Sequence, residues 1–209
     1  KITASKITLR SSSRSANRRC VLTAILNLAC FTNYGIGQEG KRPEKKWTFE
    51  ELSSAISDLQ GGRSFEKGRK LYKQIKCTAC HRMDGEGNEF APDLSLLNES
   101  WTAAKILRHV LEPSLEINKE FKAYHFELKG GRTINGLIVA KGPNFVKVVD
   151  QPLKSLRSIR IKLDSILDRQ ASHVSFMPAG MLNRLTQDEI LDLIAYVTSR
   201  GNNQHSLFQ

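Results

Sequence analysis

The sequence predicts a mainly α-helical domain interrupted by a small antiparallel β insert, α+β overall. Three observations predict this. Apolar residues recur at helical spacing in two places far apart, around residues 68–75 and again at 190–197. Between them, at about 119–170, short alternating runs are separated by Gly, Pro and Asn turns. A Cys-x-x-Cys-His run, Cys77 to His81, directly follows the first helical pattern.

The elements follow in chain order. Residues 1–40 read as an export signal or membrane anchor with its lead. A basic stretch ending in Arg18-Arg19 precedes an apolar run from Cys20 to Phe31, which is short for a membrane span. Residues 41–61 form an N-terminal extension with a short helix, opened by the capping box Thr48 to Glu51. Residues 62–118 make the first part of the helical domain. There Gly68, Leu71, Tyr72 and Ile75 share a face, Gly85 and Gly87 mark a loop, and a helix from Trp101 to Glu112 stops before Pro113.

The insert, 119–170, is read as four strands: Phe121 to Leu128, Arg132 to Ala140, Phe145 to Val149 and Leu156 to Lys162. Gly130-Gly131 and Gly142-Pro143-Asn144 are turns between them. Residues 171–200 complete the helical domain. Thr186 to Glu189 is a second capping box, opening a helix with Ile190, Leu193, Ile194 and Val197 on one face, and Gly201 is its stop. Gly68 on the first helix would allow close approach to Tyr196 on the last. Residues 201–209 are a tail.

The 209 residues carry a formal net charge of +11, of which residues 1–40 hold +5 and the rest +6. A moderate basic excess steers encounters toward acidic partners. The Lys and Arg residues are scattered, so no nucleic-acid partner is expected. Cys20 and Cys30 fall in the export segment, which leaves Cys77 and Cys80 as the pair in the remainder. One close pair is no disulfide framework.

Cys77-Thr78-Ala79-Cys80-His81 is the attachment pattern of c-type haem. Two thiols spaced by two residues can reach the two vinyl groups of one porphyrin, and the following histidine lies beneath the iron. A zinc site would need further Cys or His ligands at suitable spacing. A thioredoxin-like dithiol would need a βαβ setting, which the flanks do not supply. One covalent haem c is therefore expected, with Cys77 and Cys80 as attachment points and His81 as proximal iron ligand.

The sixth ligand must come from elsewhere. Met177, followed by Pro178-Ala179-Gly180 and ten residues before the last helix, is the leading candidate. A thioether opposite His81 would favour reduced iron. Met181 is one helical turn away and His173 could give bis-histidine ligation, so both stand as alternatives. Met83 is too close to His81 to reach the opposite face of the ring.

The chain also resembles a known family, the haem-binding domain of planctomycetes and verrucomicrobia of the Pirellula/Verrucomicrobium type, which is a cytochrome c-like domain. The pieces carrying the resemblance are Gly68 to Tyr72, Cys77 to His81, Ala91 to Leu94, Leu111 to Ser114, Gly130 to Arg132, Gly136-Leu137, and the run Ser175 to Leu182 continuing to Tyr196. It covers roughly residues 62–200. It implies a cytochrome c-like domain with a β insert between haem attachment and the distal methionine, and by position it implies Met177 as that ligand. Ala91 and Met181 depart from the family's usual glycine and leucine.

The function expected is transfer of single electrons through one haem with His/Met ligation, between an exported dehydrogenase and a respiratory acceptor. No catalytic residues are expected. Two alternatives stand beside it: a haem enzyme or small-ligand-binding protein with a labile sixth ligand, and a docking module acting through the β insert. The expected location is the periplasm or cell envelope, and the N-terminal segment would also allow membrane association.

Overall fold

The computed structural model describes residues 42–209. The export segment, with Cys20 and Cys30, lies outside the described residues. No helix among the described residues is long and apolar enough to cross a membrane.

Four helices build the host: α1 (Phe49–Ser57), α2 (Phe65–Gln74), α3 (Ala103–Leu111) and α4 (Gln187–Thr198). Each is opened by a hydroxyl side chain that accepts from an otherwise unpaired backbone N–H. Thr48 and Thr186 do so within complete capping boxes with Glu51 and Glu189. Ser64 and Thr102 cap α2 and α3. Helix α3 stops at Leu111 because Glu112 precedes Pro113 and leaves the α region, at φ −124° and ψ 62°.

The apolar faces of all four helices meet in one core. Leu52 and Ile56 of α1 are buried together with Leu71, Tyr72, Ile106, Leu107, Ile190, Leu193 and Ile194. The extension helix is thus part of the host's core rather than an appendage. Each such side chain removed from water contributes about 1.5–3 kcal/mol. Helices α2 and α4 cross at Gly68, where a Cβ would collide with the Asp192 carbonyl and the Tyr196 Cβ. The missing side chain lets Tyr196 pack edge-on against Phe65, with ring centroids 5.2 Å apart, and tilted against Tyr72 at 5.5 Å. Asp192, 2% exposed, spans the crossing, accepting from the Ser64 backbone N–H at 3.0 Å and lying 3.4 Å from the Arg63 guanidinium.

A short hairpin, β1 (Arg82–Met83) and β2 (Glu86–Gly87), follows the haem-attachment pattern. Its turn residues Asp84 and Gly85 both have positive φ, 50° and 75°. Asp-Gly is a preferred pair for such two-residue turns. Met83 is 1% exposed and belongs to the helical core.

The insert forms a five-stranded antiparallel sheet: β3 (Ala123–Leu128), β4 (Thr133–Lys141), β5 (Phe145–Val149), β6 (Ile159–Lys162) and β7 (Ile166–Ala171), in the order β6-β5-β4-β3-β7. Four of these answer to the expected runs, and β7 is additional. In β7 only Ile166 is partly buried and the other five residues are exposed. An edge strand with so little apolar face gives no alternation to read.

The connection between the two edges shapes the sheet. Strand β6 ends at Lys162 and β7 begins at Ile166, joined by a single 3-10 turn. Four residue steps reach at most about 14 Å. Edges of a flat five-stranded sheet lie about 19 Å apart. The sheet must therefore curl toward a half-closed barrel, and its concave face encloses Phe126, Leu128, Ile134, Val146, Val148 and Ile161, a core separate from that of the helices.

Candidate haem-attachment site

The site begins where α2 ends. Lys76 takes a left-handed conformation, φ 65°, which breaks the helix and turns the chain into the 3-10 turn Cys77–Ala79. The turn closes with the Cys80 and His81 backbone N–H groups donating to the Cys77 carbonyl at 3.1 and 2.9 Å. This gathers Cys77, Cys80 and His81 on one short loop. Both cysteines are free thiols.

The following residues hold that loop. Asn88 donates through its backbone and its side chain to the Thr78 carbonyl, each at 3.1 Å. The Ala91 N–H donates to the Cys80 carbonyl at 3.0 Å, and the Tyr72 hydroxyl to the His81 carbonyl at 3.3 Å. Gly87 packs so close to the His81 carbonyl that a Cβ could not fit, and its φ of 105° disfavours any side chain.

The His81 ring is fixed by one bond, Nδ1 to the Pro92 carbonyl at 2.8 Å. A carbonyl can only accept, so Nδ1 carries the proton and the Nε2 lone pair has no hydrogen-bond partner among the described residues. Burial pushes the His81 pKa down, against the opposing pull of the Pro92 bond, so the ring is neutral at pH 7. A neutral imidazole anchored through Nδ1 is the form in which histidine ligates a metal.

Burial also pushes the Cys77 thiol up to about 12 and raises that of Cys80. Redox dithiols and zinc thiolates need the opposite shift. Among the described residues no three His, Cys, Asp or Glu side chains converge as a metal-binding group. Two neutral thiols and one oriented imidazole nitrogen on a five-residue loop are a donor set that could hold a haem.

Met177 lines a cleft of about 450 Å³. It is lined by Leu111 to Leu115, from the last residue of α3 onward, and by Val174, Ser175 and Met177 to Ala179. The Ser175 N–H donates to the Ser114 hydroxyl at 3.0 Å and ties the two stretches together, and the Met177 N–H donates to the Ser175 hydroxyl at 3.2 Å. Met181, His173 and His81 are not among the lining residues, and His173 is exposed. Residue types put Gly87 and Pro92 in a loop expected to wrap the haem edge, but did not reveal how these two and Tyr72 hold His81. Pro92 acts through its carbonyl, which every residue has, so no residue pattern could announce it.

The family model for cytochrome c matches residues 65–133. The match runs from α2 through the attachment loop and α3 to the start of β4. It supports a cytochrome c-like domain that binds haem and transfers electrons. Helix α4, which packs on α2, lies beyond its end because the β insert intervenes. No curated protein matches the chain.

Proposed function

We propose that the protein carries single electrons through one covalent haem c, which Cys77 and Cys80 would hold and whose iron His81 and Met177 would ligate. The observation that carries this reading is the His81 ring, whose Nδ1 is engaged by the Pro92 carbonyl while Nε2 has no hydrogen-bond partner among the described residues, one residue after two free thiols. The iron of a bound haem supplies one-electron Fe(III)/Fe(II) chemistry.

The chain's own residues do the rest. Cys77 and Cys80 would hold the haem as thioethers, each adding its S–H across one vinyl group with no oxidant consumed. Pro92 holds the His81 tautomer and ring angle. Tyr72 and Gly87 hold the His81 backbone. Met177 supplies a soft thioether from the cleft, which favours the reduced iron. The resemblance to the Pirellula/Verrucomicrobium-type haem-binding domain supports the same ligand pair, and an exported dehydrogenase is the electron donor we propose.

Absorption spectra of the chain, expressed with a c-type haem maturation system, test this in both redox states. A low-spin covalent haem with the weak far-red band of a methionine–ferric bond is expected, and Met177→Ala should abolish that band. A high-spin native spectrum, or a band that survives the mutation, would move the sixth ligand away from Met177.

A further inference from the structure

We infer that the β5–β6 hairpin and its connecting loop are the docking surface for an acidic protein that exchanges electrons with the haem; this rests on the electron-carrier reading above. From Lys141 to Lys162 the chain holds six cations, Lys141, Lys147, Lys154, Arg157, Arg160 and Lys162, against one anion, Asp150. None of the six makes an ion pair among the described residues. Strand register sets Lys147 directly opposite Arg160, and Phe145 opposite Lys162. Like charges so placed destabilise a sheet. By alternation all four residues lie on the face opposite the buried Val146, Val148 and Ile161.

The chemistry of the patch fits a protein surface. Arg160 stacks its guanidinium on the Phe145 ring at 3.6 Å. Leu156, 54% exposed, stands between Lys154 and Arg157 in the loop. An apolar contact rimmed by cations matches the apolar core and polar rim of protein interfaces, whereas a polyanion needs charge alone.

Its position fits electron exchange. The Lys76 ammonium donates to the Leu153 carbonyl at 3.4 Å, and Lys76 immediately precedes Cys77. The hairpin loop therefore lies against the attachment turn, and a protein seated on the hairpin would rest beside the haem's point of attachment.

The test uses the full chain carrying its haem, with an acidic blue-copper protein as redox probe and stopped-flow detection. Lys147→Glu with Lys154→Glu is compared with the same charge change elsewhere, Lys46→Glu with Lys67→Glu. The hairpin pair should lower the bimolecular rate at low ionic strength by about ten-fold, and the control pair by less than about two-fold, with the difference vanishing at high salt. Equal effects of the two pairs would reduce the patch to net charge and overturn the inference. So would loss of heparin binding in the hairpin pair with an unchanged electron-transfer rate, which would mark a polyanion site instead. A chain that takes up no haem would fail the electron-carrier reading itself and this inference with it, whereas normal spectra with an insensitive rate would fail the docking surface alone.

Discussion

In the helical part, Arg63 pairs with Asp188 and Asp192, Arg69 and Lys73 with Glu86, Arg42 with Glu189, and Arg184 with Glu44. Among the described residues no Lys or Arg from 119 to 171 has a carboxylate partner, and His125 and Glu127 lie 4.0 Å apart. The two regions also keep separate apolar cores. Charges in the helices bind one element to the next, while the Lys and Arg side chains of the sheet stand at its surface without such pairing among the described residues. Stability of the sheet therefore rests on its apolar core and ladder, and that of the helices on close packing with charge and capping added.

The sharpest way to break this comparison is Phe126→Ala. Phe126 is fully buried in the sheet core, and the loss should be about 3–5 kcal/mol of the module's stability. Hydrogen exchange should show β3 to β7 opening while α2 and α4 stay protected. Equal loss of protection in the helices would mean that the two cores fold as one. Next comes Gly68→Ala, which strikes the helical core. The obstructing atoms are the backbone of Asp192 and the Cβ of Tyr196, which cannot swing aside, so a cost of about 1–3 kcal/mol is expected in a denaturant titration of the helical signal.

The smallest effect is that of acid. Hydrogen bonds to Arg42 and to the Thr186 N–H hold the Glu189 carboxyl below its usual range, and the Lys73 bond does the same for Glu86. A carboxyl with a lowered folded pKa stabilises the fold above about pH 4.5, and that contribution disappears as pH falls through the folded value. Burial also lowers the His109 pKa from 6.5, so the unfolded chain protonates first and stability slips as pH drops below 6.5. All three groups lie in the helical part. Thermal unfolding followed from pH 7 to pH 4 should show a small decline there and a flatter response in the sheet, and the reverse order would contradict the charge comparison.

Much of this was legible from residue types. Both capping boxes, the Gly68 crossing and the Cys77–His81 loop follow from local patterns, because each depends on residues within one turn or on a single missing side chain. Strand β7 was not legible, since its side chains face water and only its pairing with β3 makes it a strand. The Asp84-Gly85 hairpin carried its signal plainly, in a dipeptide suited to positive φ at both positions. Asp192 is a different case. A carboxylate on the buried face of an amphipathic helix contradicts the pattern until Ser64 and Arg63, more than a hundred residues earlier, arrive to meet it.

The closing pair of the sheet has one more consequence. Tyr124 is in register with Ala171, and the Ser172 N–H donates to the Ala123 carbonyl at 2.8 Å. The polypeptide leaves the helical host and returns to it through neighbouring strands, about 5 Å apart. Seen from the host, some fifty residues therefore occupy the footprint of a single tight loop. A unit attached in this way can be lengthened, exchanged or grafted without changing the spacing between the host's own ends, so its outer surface is free to change while the helical scaffold stays as it is.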